Sequence, residues 1–302
     1  MNVISPTAPL PQTSALRIAA VGTAFSLVWS SAFIAGKIGM SSSGPLTLLS
    51  LRFLLAGALL ALVGRALRRP AGGGSDRGAL VTALAAGLLT NAVYLGLTYT
   101  GMQTIPAGLT AILVSTSPLV TALLAALWLR DPFGWRCGLG LAAGFLGVVW
   151  IMGERATLAP VDPVGALLVL VGTVALAAAT ILNRRIVGRL DPWKIAYIQL
   201  PASGLGLLPI AWWQEGLAFD ADAAFIGSLL YQASVVSIGT TLMLLWLVRH
   251  GGVARASGFH LLNPVFGTFL AMTLLGESIP ASDLMGALPI VAGLGLVVGM
   301  RR

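Results

Sequence analysis

The chain has 302 residues, of which 57% are hydrophobic and 9% are charged. A soluble domain carries roughly 25% charged residues, so a soluble protein of this composition would lack the polar side chains needed to cover its surface. The net charge of +8 comes from short basic clusters between apolar runs, and we therefore expect no nucleic-acid partner. The single cysteine, Cys137, excludes an internal disulfide framework and a cysteine metal cluster.

Residues 1–16 are uncharged and contain three prolines, which predicts a disordered tail. Ten apolar runs follow, and each approaches the length of about 20 residues that a helix needs to cross a bilayer. Their connections are too short to hold a separate soluble domain. The runs lie at 17–38, 45–66, 79–100, 105–129, 133–153, 163–187, 193–213, 223–248, 253–276 and 280–300.

Basic residues indicate how these spans are oriented. Fifteen of the 18 Lys and Arg residues fall on the side that carries both termini, whereas only Arg155 falls on the opposite side. Because cytoplasmic loops carry an excess of Lys and Arg, we expect both termini, and with them the tail, to be cytoplasmic.

The chain aligns with itself at an offset of 146 residues. At this offset Pro118 falls on Pro264, Asp131 on Glu277, Gly140 on Gly286 and Gly147 on Gly293. This predicts a first five-helix repeat at 17–153, a periplasmic linker at 154–162 and a second repeat at 163–302. Because five is an odd number, the second repeat must be inverted. The expected fold is an all-α membrane protein with ten transmembrane helices in two inverted five-helix repeats, an architecture of secondary transporters.

Several short motifs carry a family resemblance. They are Trp-Ser-Ser-Ala-Phe-Ile-Ala-Gly-Lys at 29–37, Pro45, Leu51-Arg52-Phe53, Pro118, Asp131, Asn263-Pro264 and Leu275-Gly-Glu277. In this order they resemble the EamA family of the drug/metabolite transporter superfamily, over essentially the whole chain after residue 16. Within it, the chain resembles the YddG-type bacterial exporters of amino acids, chiefly aromatic ones. The resemblance implies a bacterial inner-membrane exporter with a central cavity lined by both repeats.

One departure from the superfamily concerns acidic residues. Its small multidrug members use a glutamate in the first helix for proton and cation exchange, but residues 1–75 of this chain contain no Asp or Glu. We therefore expect transport without a buried carboxylate for coupling.

Polar and aromatic residues inside the spans are the candidates for the site, because such groups are costly against lipid and should face other helices or water. Each could instead make an interhelical hydrogen bond or simply pack. The substrate-binding candidates are Trp29, Asn91, Tyr94, Thr98, Ser237, Thr240, His260 and Asn263. The candidates for the outer mouth of the pathway are Tyr99, Tyr231 and Gln232.

Pro118 and Pro264 fall near the middle of their spans, where each removes a backbone donor and should leave the carbonyl four residues earlier, that of Val114 or His260, unpaired. They are interpreted as hinges or as static kinks. Lys37 and Arg52 lie toward the outer ends of their spans, where snorkelling to the interface accounts for them, although Arg52 could attract carboxylates.

These patterns favour an exporter of small metabolites, with amino acids and especially aromatic ones preferred, that works by alternating access. We expect no catalytic residue, metal or cofactor, and a monomer rather than a dimer. Export of cationic drugs, nucleosides or vitamins on the same fold is the nearest alternative. A channel would not explain the inverted repeat, and an intramembrane enzyme would require a motif such as His-Glu-x-x-His, which the sequence lacks.

Overall fold

The computed structural model describes residues 15–67, 76–129, 135–158, 161–278 and 280–298. Within these ranges, seven helices are long and apolar enough to cross a membrane, and three shorter apolar helices complete a set of ten. They are α1 (Ala15–Gly39), α2 (Pro45–Ala66), α3 (Arg77–Gly101), α4 (Ala107–Val114 and Ser117–Leu129), α5 (Trp135–Leu158), α6 (Pro163–Ile186), α7 (Pro192–Glu215), α8 (Ala223–Gly252), α9 (253–258, Phe259–Leu262 and Asn263–Leu275) and α10 (Ala281–Val298).

Each helix overlaps its predicted span, so the predicted ten-helix fold is confirmed. Some details differ from the sequence prediction. Helix α1 begins at Ala15, inside the predicted tail, and α5 continues to Leu158, so that more than half of the predicted linker is helical. The remainder of the tail and Asp131 lie outside the described residues.

Aspartates begin four of the helices. Asp76, Asp162, Asp191 and Asp222 each accept hydrogen bonds from backbone N–H groups of the first turn of α3, α6, α7 and α8. Such N-caps satisfy donors that have no partner within the helix. Asp76 and Asp222 stand 146 positions apart, so the repeat extends to the capping residues.

Helix packing follows the inverted symmetry. Helices α2 and α7, α4 and α9, and α5 and α10 pack against each other, while α1 packs on α8 and α9 just as α6 packs on α3 and α4. Helices α5 and α10 approach each other closely at glycines. A Cβ atom on Gly293 would lie 2.3 Å from the Gly140 carbonyl oxygen, and one on Gly147 would lie 2.5 Å from that of Gly286. The offset of 146 residues relates Gly140 to Gly286 and Gly147 to Gly293, so it converts one contact into the other, as a twofold axis requires.

Helices α4 and α9 are broken at equivalent positions, just before Pro118 and Pro264. In α4 the hydroxyl groups of Ser115 and Thr116 donate to backbone carbonyls one turn earlier, at 2.6 and 2.7 Å. In α9 the 3₁₀ segment Phe259–Leu262 precedes the proline, and the His260 carbonyl accepts the Asn263 N–H. The prediction that the His260 carbonyl is unpaired is therefore wrong, because the helix changes to a 3₁₀ hydrogen-bonding pattern there.

Candidate functional site

A cavity lies between the two repeats, bounded by α1, α2, α3, α6, α7 and α8. It contains about 590 Å³ of space not filled by protein atoms, its opening included. Aromatic and aliphatic side chains share the wall with amides, hydroxyls and one cation. The lining residues are Trp29, Ala32, Phe33, Arg52, Phe53, Thr90, Asn91, Tyr94, Leu95, Asn183, Gln199, Val236, Ser237, Thr240, Thr241, Leu244 and Leu245.

The offset that relates the repeats also relates the two sides of this cavity. Five pairs of lining residues are 146 positions apart, with one member in each repeat. They are Phe53 and Gln199, Thr90 and Val236, Asn91 and Ser237, Tyr94 and Thr240, and Leu95 and Thr241. The pseudo-twofold axis therefore passes through the cavity, which is where transporters built from inverted repeats hold their substrate.

Two π-helical segments carry most of these pairs. They are Leu88–Tyr94 in α3 and Gln232–Thr240 in α8, and they end at positions exactly one offset apart. π-Helical turns are rare and occur frequently at functional sites. Their presence on both sides of the cavity makes this wall the most irregular part of two otherwise α-helical spans.

Trp29 and Tyr94 form an aromatic wall between α1 and α3. Their ring centroids are 6.2 Å apart and their planes differ by 11°. His260 packs edge-on against Trp29 from α9, at 5.0 Å. The Tyr94 hydroxyl is fully buried and makes no hydrogen bond of normal geometry with a described residue. Such a wall offers an apolar face for a ring or a hydrocarbon chain.

Arg52 lies on the cavity wall and is only 3% exposed. Its Nε donates to Ser237 Oγ at 2.7 Å, and its Nη1 donates to Tyr99 Oη at 3.0 Å and to Gln232 Oε1 at 2.9 Å. We refer to Arg52, Tyr99, Gln232 and Ser237 as the Arg52 layer, which joins α2, α3 and α8. The expected snorkelling of Arg52 is therefore wrong. The residue lies two turns inside α2, and its hydrogen-bonding partners are all inside the protein.

A second polar group lies on the side of the cavity opposite the Arg52 layer. Gln199 Nε2 donates to Asn183 Oδ1 at 3.0 Å, and Asn91 Nδ2 lies 3.4 Å from Ser203 Oγ. These contacts join α6 to α7 and α3 to α7. The cavity is thus bordered by hydrogen-bonded side chains at both ends, but only the Arg52 layer contains a charge.

Acidic residues on the predicted periplasmic side hold the repeats together. The Glu215 carboxylate accepts the N–H groups of Leu46 and Thr47, at 3.0 and 2.7 Å. The Glu277 carboxylate likewise accepts N–H groups at the start of α4, at 2.9 and 3.0 Å. A negative charge at a helix N-terminus is favourable, and here each carboxylate caps a helix of the other repeat.

The loops between α1 and α2 and between α7 and α8 also meet on this side. Ser42 Oγ donates to Asp222 Oδ2 at 2.7 Å, and the Asp220 N–H donates to the Ser42 carbonyl at 2.8 Å. Hydrogen bonds from the Phe225 N–H and from Ser42 hold the pKa of Asp222 below its usual value. In the same way, Thr104 and the Val164 N–H lower the pKa of Asp162.

The structure brings five of the eight predicted substrate-binding residues to the cavity: Trp29, Asn91, Tyr94, Ser237 and Thr240. The other three line the interfaces around it. Thr98 is buried against Gly172 of α6. Asn263 Nδ2 lies 3.0 Å from His260 Nδ1, and Ser30 of α1 donates to Asn263 Oδ1 at 3.4 Å.

The three residues predicted at the outer mouth separate into two groups. Tyr99 and Gln232 are fully buried in the Arg52 layer, where Tyr99 Oη donates a hydrogen bond to Gln232 Oε1 at 2.6 Å. In this conformation they close the end of the cavity. Tyr231 is partly exposed, and its hydroxyl is hydrogen-bonded to Ser31 at 2.7 Å.

Sequence reasoning missed Thr90, Thr241 and three larger polar residues of the cavity: Arg52 as a lining residue, Asn183 and Gln199. The signal was present for each, since all three are polar groups within apolar runs. Asn183 and Gln199 also lie within two turns of a span end, where a polar residue is ordinarily at the membrane interface.

Ten membrane-spanning helices in two inverted repeats around an axial cavity define the architecture of a secondary transporter. The sequence model of the EamA-like transporter family matches residues 17–153 and again residues 163–299. The chain therefore belongs to the EamA-like transporter family, as the motifs predicted.

Relatives agree with this assignment. The uncharacterized transporter YvbV of Bacillus subtilis is 28% identical over 278 residues, which are 90% of this chain and 88% of the relative. The uncharacterized inner membrane transporter YedA of Escherichia coli is 29% identical over 281 residues, covering 90% and 87%. A crystal structure of another protein has the same fold, with a TM-score of 0.68 and 17% sequence identity. The match covers 96% of this chain and 100% of the chain in that crystal structure. The chain is thus similar to membrane transporters, and these names specify no substrate.

Proposed function

We propose that this transporter exports small organic metabolites, with amino acids and especially aromatic ones preferred, from the cytoplasm across a bacterial inner membrane. The observation that carries the proposal is the axial cavity, in which an aromatic wall and a set of amide and hydroxyl groups come together. Trp29 and Tyr94 would contact an apolar side chain, while Asn91, Ser237 and Thr240 would bind polar groups. Both termini would be cytoplasmic, as the distribution of basic residues predicts.

Alternating access is the proposed mechanism. Because equivalent residues of both repeats line the cavity, exchanging the conformations of the repeats would close one end and open the other around the same wall. The breaks before Pro118 and Pro264 are the proposed hinges. In the described conformation the Arg52 layer occupies one end of the cavity, so this layer must separate when that end opens.

A zwitterionic amino acid carries no net charge, so the membrane potential contributes little to its movement. We therefore propose that export follows the concentration gradient of the substrate. A transported cation would instead gain about 2.3 kcal/mol per 100 mV on moving in the direction that the potential favours.

The test is flux in liposomes that contain the purified protein. A radiolabelled aromatic amino acid should equilibrate across these vesicles with saturable kinetics, and unlabelled aromatic amino acids should compete. Adding a pH gradient or a membrane potential should change the initial rate little. Absence of gradient-driven flux, or competition by cationic drugs and nucleosides in place of amino acids, would contradict the proposal, and ohmic conductance would indicate a channel.

A further inference from the structure

Arg52 is a buried cation whose hydrogen-bonding partners in the described structure are all neutral. A guanidinium carries five N–H donors. Three of them are used by Ser237, Tyr99 and Gln232. The two N–H groups of Nη2 make no hydrogen bond with a described residue. Nη2 is also not fully buried, so part of its surface remains accessible. Because Arg52 lines the cavity, Nη2 is the part of the guanidinium that a ligand can reach.

The charge of Arg52 is not compensated by a described carboxylate. Glu215, Glu277 and Asp222 bind backbone N–H groups at helix ends, and residues 1–75 contain no acidic residue. Removing a charge from water costs several kcal/mol unless an opposite charge and hydrogen bonds replace the water. Neutral side chains such as Gln, Asn and Ser also join neighbouring helices by hydrogen bonds and do so without that cost, so joining α2, α3 and α8 does not by itself explain the charge.

Symmetry supports a role in binding rather than in packing. Phe53 and Gln199 are equivalent residues that both line the cavity, whereas the residue equivalent to Arg52 is the apolar Ile198. The cavity therefore has a positive end and a neutral end, although five pairs of its lining residues are related by the repeat. Such a difference orients a bound molecule whose two ends differ in charge.

We propose that Arg52 binds the carboxylate of the transported molecule through Nη2, and that a carboxylate is the group required for recognition in this cavity. A charge-assisted hydrogen bond from a guanidinium to a carboxylate is about twice as strong as a neutral one. The apolar part of the ligand would lie toward Trp29 and Tyr94. This inference extends the proposed function, on which it rests for the existence of a transported ligand. It favours amino acids and other organic acids over cationic drugs.

The test compares three probes that share one aromatic group: phenylalanine, phenylpropionate, which lacks the amine, and phenylalanine amide, which lacks the carboxylate. Binding is measured on the purified protein by the change in tryptophan fluorescence and by thermal stabilisation. Phenylalanine and phenylpropionate should bind, and phenylalanine amide should bind about 10-fold to 100-fold more weakly, the range expected for a hydrogen bond to a charged group.

Variants separate recognition from structure. Arg52→Gln should reduce the affinity for the two carboxylates by a similar factor and bring the three probes to nearly equal affinity, while Arg52→Lys should retain part of the preference. Lys37→Gln removes one positive charge from the end of α1, where Lys37 is not part of the cavity lining, and should leave the preference intact. Circular dichroism and thermal unfolding report whether the Gln variant is folded.

The possible results distinguish failure of the role of Arg52 from failure of the proposed function. Equal binding of all three probes by the wild type, or an unchanged carboxylate preference in a folded Arg52→Gln variant, would overturn the role of Arg52 and leave amino-acid transport standing. Binding of phenylpropionate without any amino-acid flux would keep the role of Arg52 and overturn the proposed function. Failure of both carboxylates to bind would overturn both.

Discussion

Asn91 and Ser237 are 146 positions apart in the chain and face the same cavity from opposite repeats. Each also forms a hydrogen bond with a residue of the other repeat: Asn91 with Ser203 of α7, and Ser237 with Arg52 of α2. The two positions are equivalent in the backbone but not in chemistry, since one partner is a hydroxyl and the other is a cation. The repeat thus supplies a symmetric framework, and individual substitutions give its two ends different properties.

Trp29→Ala should lower the rate of amino-acid transport by roughly fivefold, because it removes one ring of the aromatic wall, and a contact between two aromatic rings is worth about 1 kcal/mol beyond the buried area. Initial flux into liposomes measures the effect. Trp29→Phe keeps a ring at this position and should retain most of the activity. Trp213→Ala, at a tryptophan that is 84% exposed at the end of α7, is the matched control. Equal flux in Trp29→Ala and the wild type would remove this residue from the site.

Gly293→Ala should destabilise the protein by about 1–3 kcal/mol, the usual cost of overpacking a close contact. Its Cβ would lie 2.3 Å from the Gly140 carbonyl oxygen, and backbone cannot move aside as a flexible side chain can. Thermal unfolding in detergent measures the loss. Gly227→Ala is the control, because a Cβ there meets no atom within 4 Å. If both variants unfold at the wild-type temperature, α5 and α10 do not pack as closely as described.

The ten helices could be predicted from sequence because the thickness of the bilayer fixes the length of each apolar run. The inverted repeat could also be predicted, since it leaves paired residues such as Pro118 and Pro264 at a constant offset. The helices can be recognised from the local sequence, and the repeat can be recognised by comparing each residue with the one 146 positions away. The structure additionally shows which helices pack against each other. Helix packing depends on contacts between segments that are distant in the sequence, so it could not be predicted in this way.

The wall of the cavity was only partly predictable for this reason. Asn91 and Tyr94 were expected at the site and line it, but Thr98, one turn further along α3, contacts Gly172 of α6. Helical spacing places the three residues on one face, but it does not identify which neighbouring helix comes close to each turn. Arg52 was assigned to the membrane interface because its depth was estimated from the ends of an apolar run. Its hydrogen bonds instead lie toward the protein interior.

Asp222 should make the stability of the protein depend on pH in the acidic range. Because hydrogen bonds from Phe225 and Ser42 lower its pKa in the folded protein, its contribution is complete above the usual Asp pKa of about 3.9. It is lost as the pH falls through the lower folded-state value. Thermal unfolding between pH 6 and 3 should therefore show a wild-type advantage over Asp222→Asn that is constant at the upper end of this range and declines as the pH falls below about 4.

The control for this effect is Asp220→Asn. The Asp220 side chain is exposed and makes no hydrogen bond with a described residue, although its backbone N–H bonds to Ser42. This variant removes the same charge from the same loop and should follow the wild-type profile. A parallel loss of stability in both variants would show that the charge of the loop matters and the hydrogen bonds of Asp222 do not.

Linking the two loops on the predicted periplasmic side should stop transport if that side must open. Ser43 and Phe219 form an isolated antiparallel bridge, a pairing with a Cα separation of about 4.5–5.5 Å, which a disulfide can span. In a Cys137→Ser background, oxidation of the Ser43→Cys and Phe219→Cys double variant should nearly abolish flux, and a reductant should restore it. Each single-cysteine variant should transport equally well under both conditions. The disulfide would join the loop between α1 and α2 to the loop between α7 and α8, on the same side of the protein as the Arg52 layer. Full activity of the oxidised double variant would therefore mean that the substrate leaves by another route. Alternating access through this end of the cavity would then have to be abandoned.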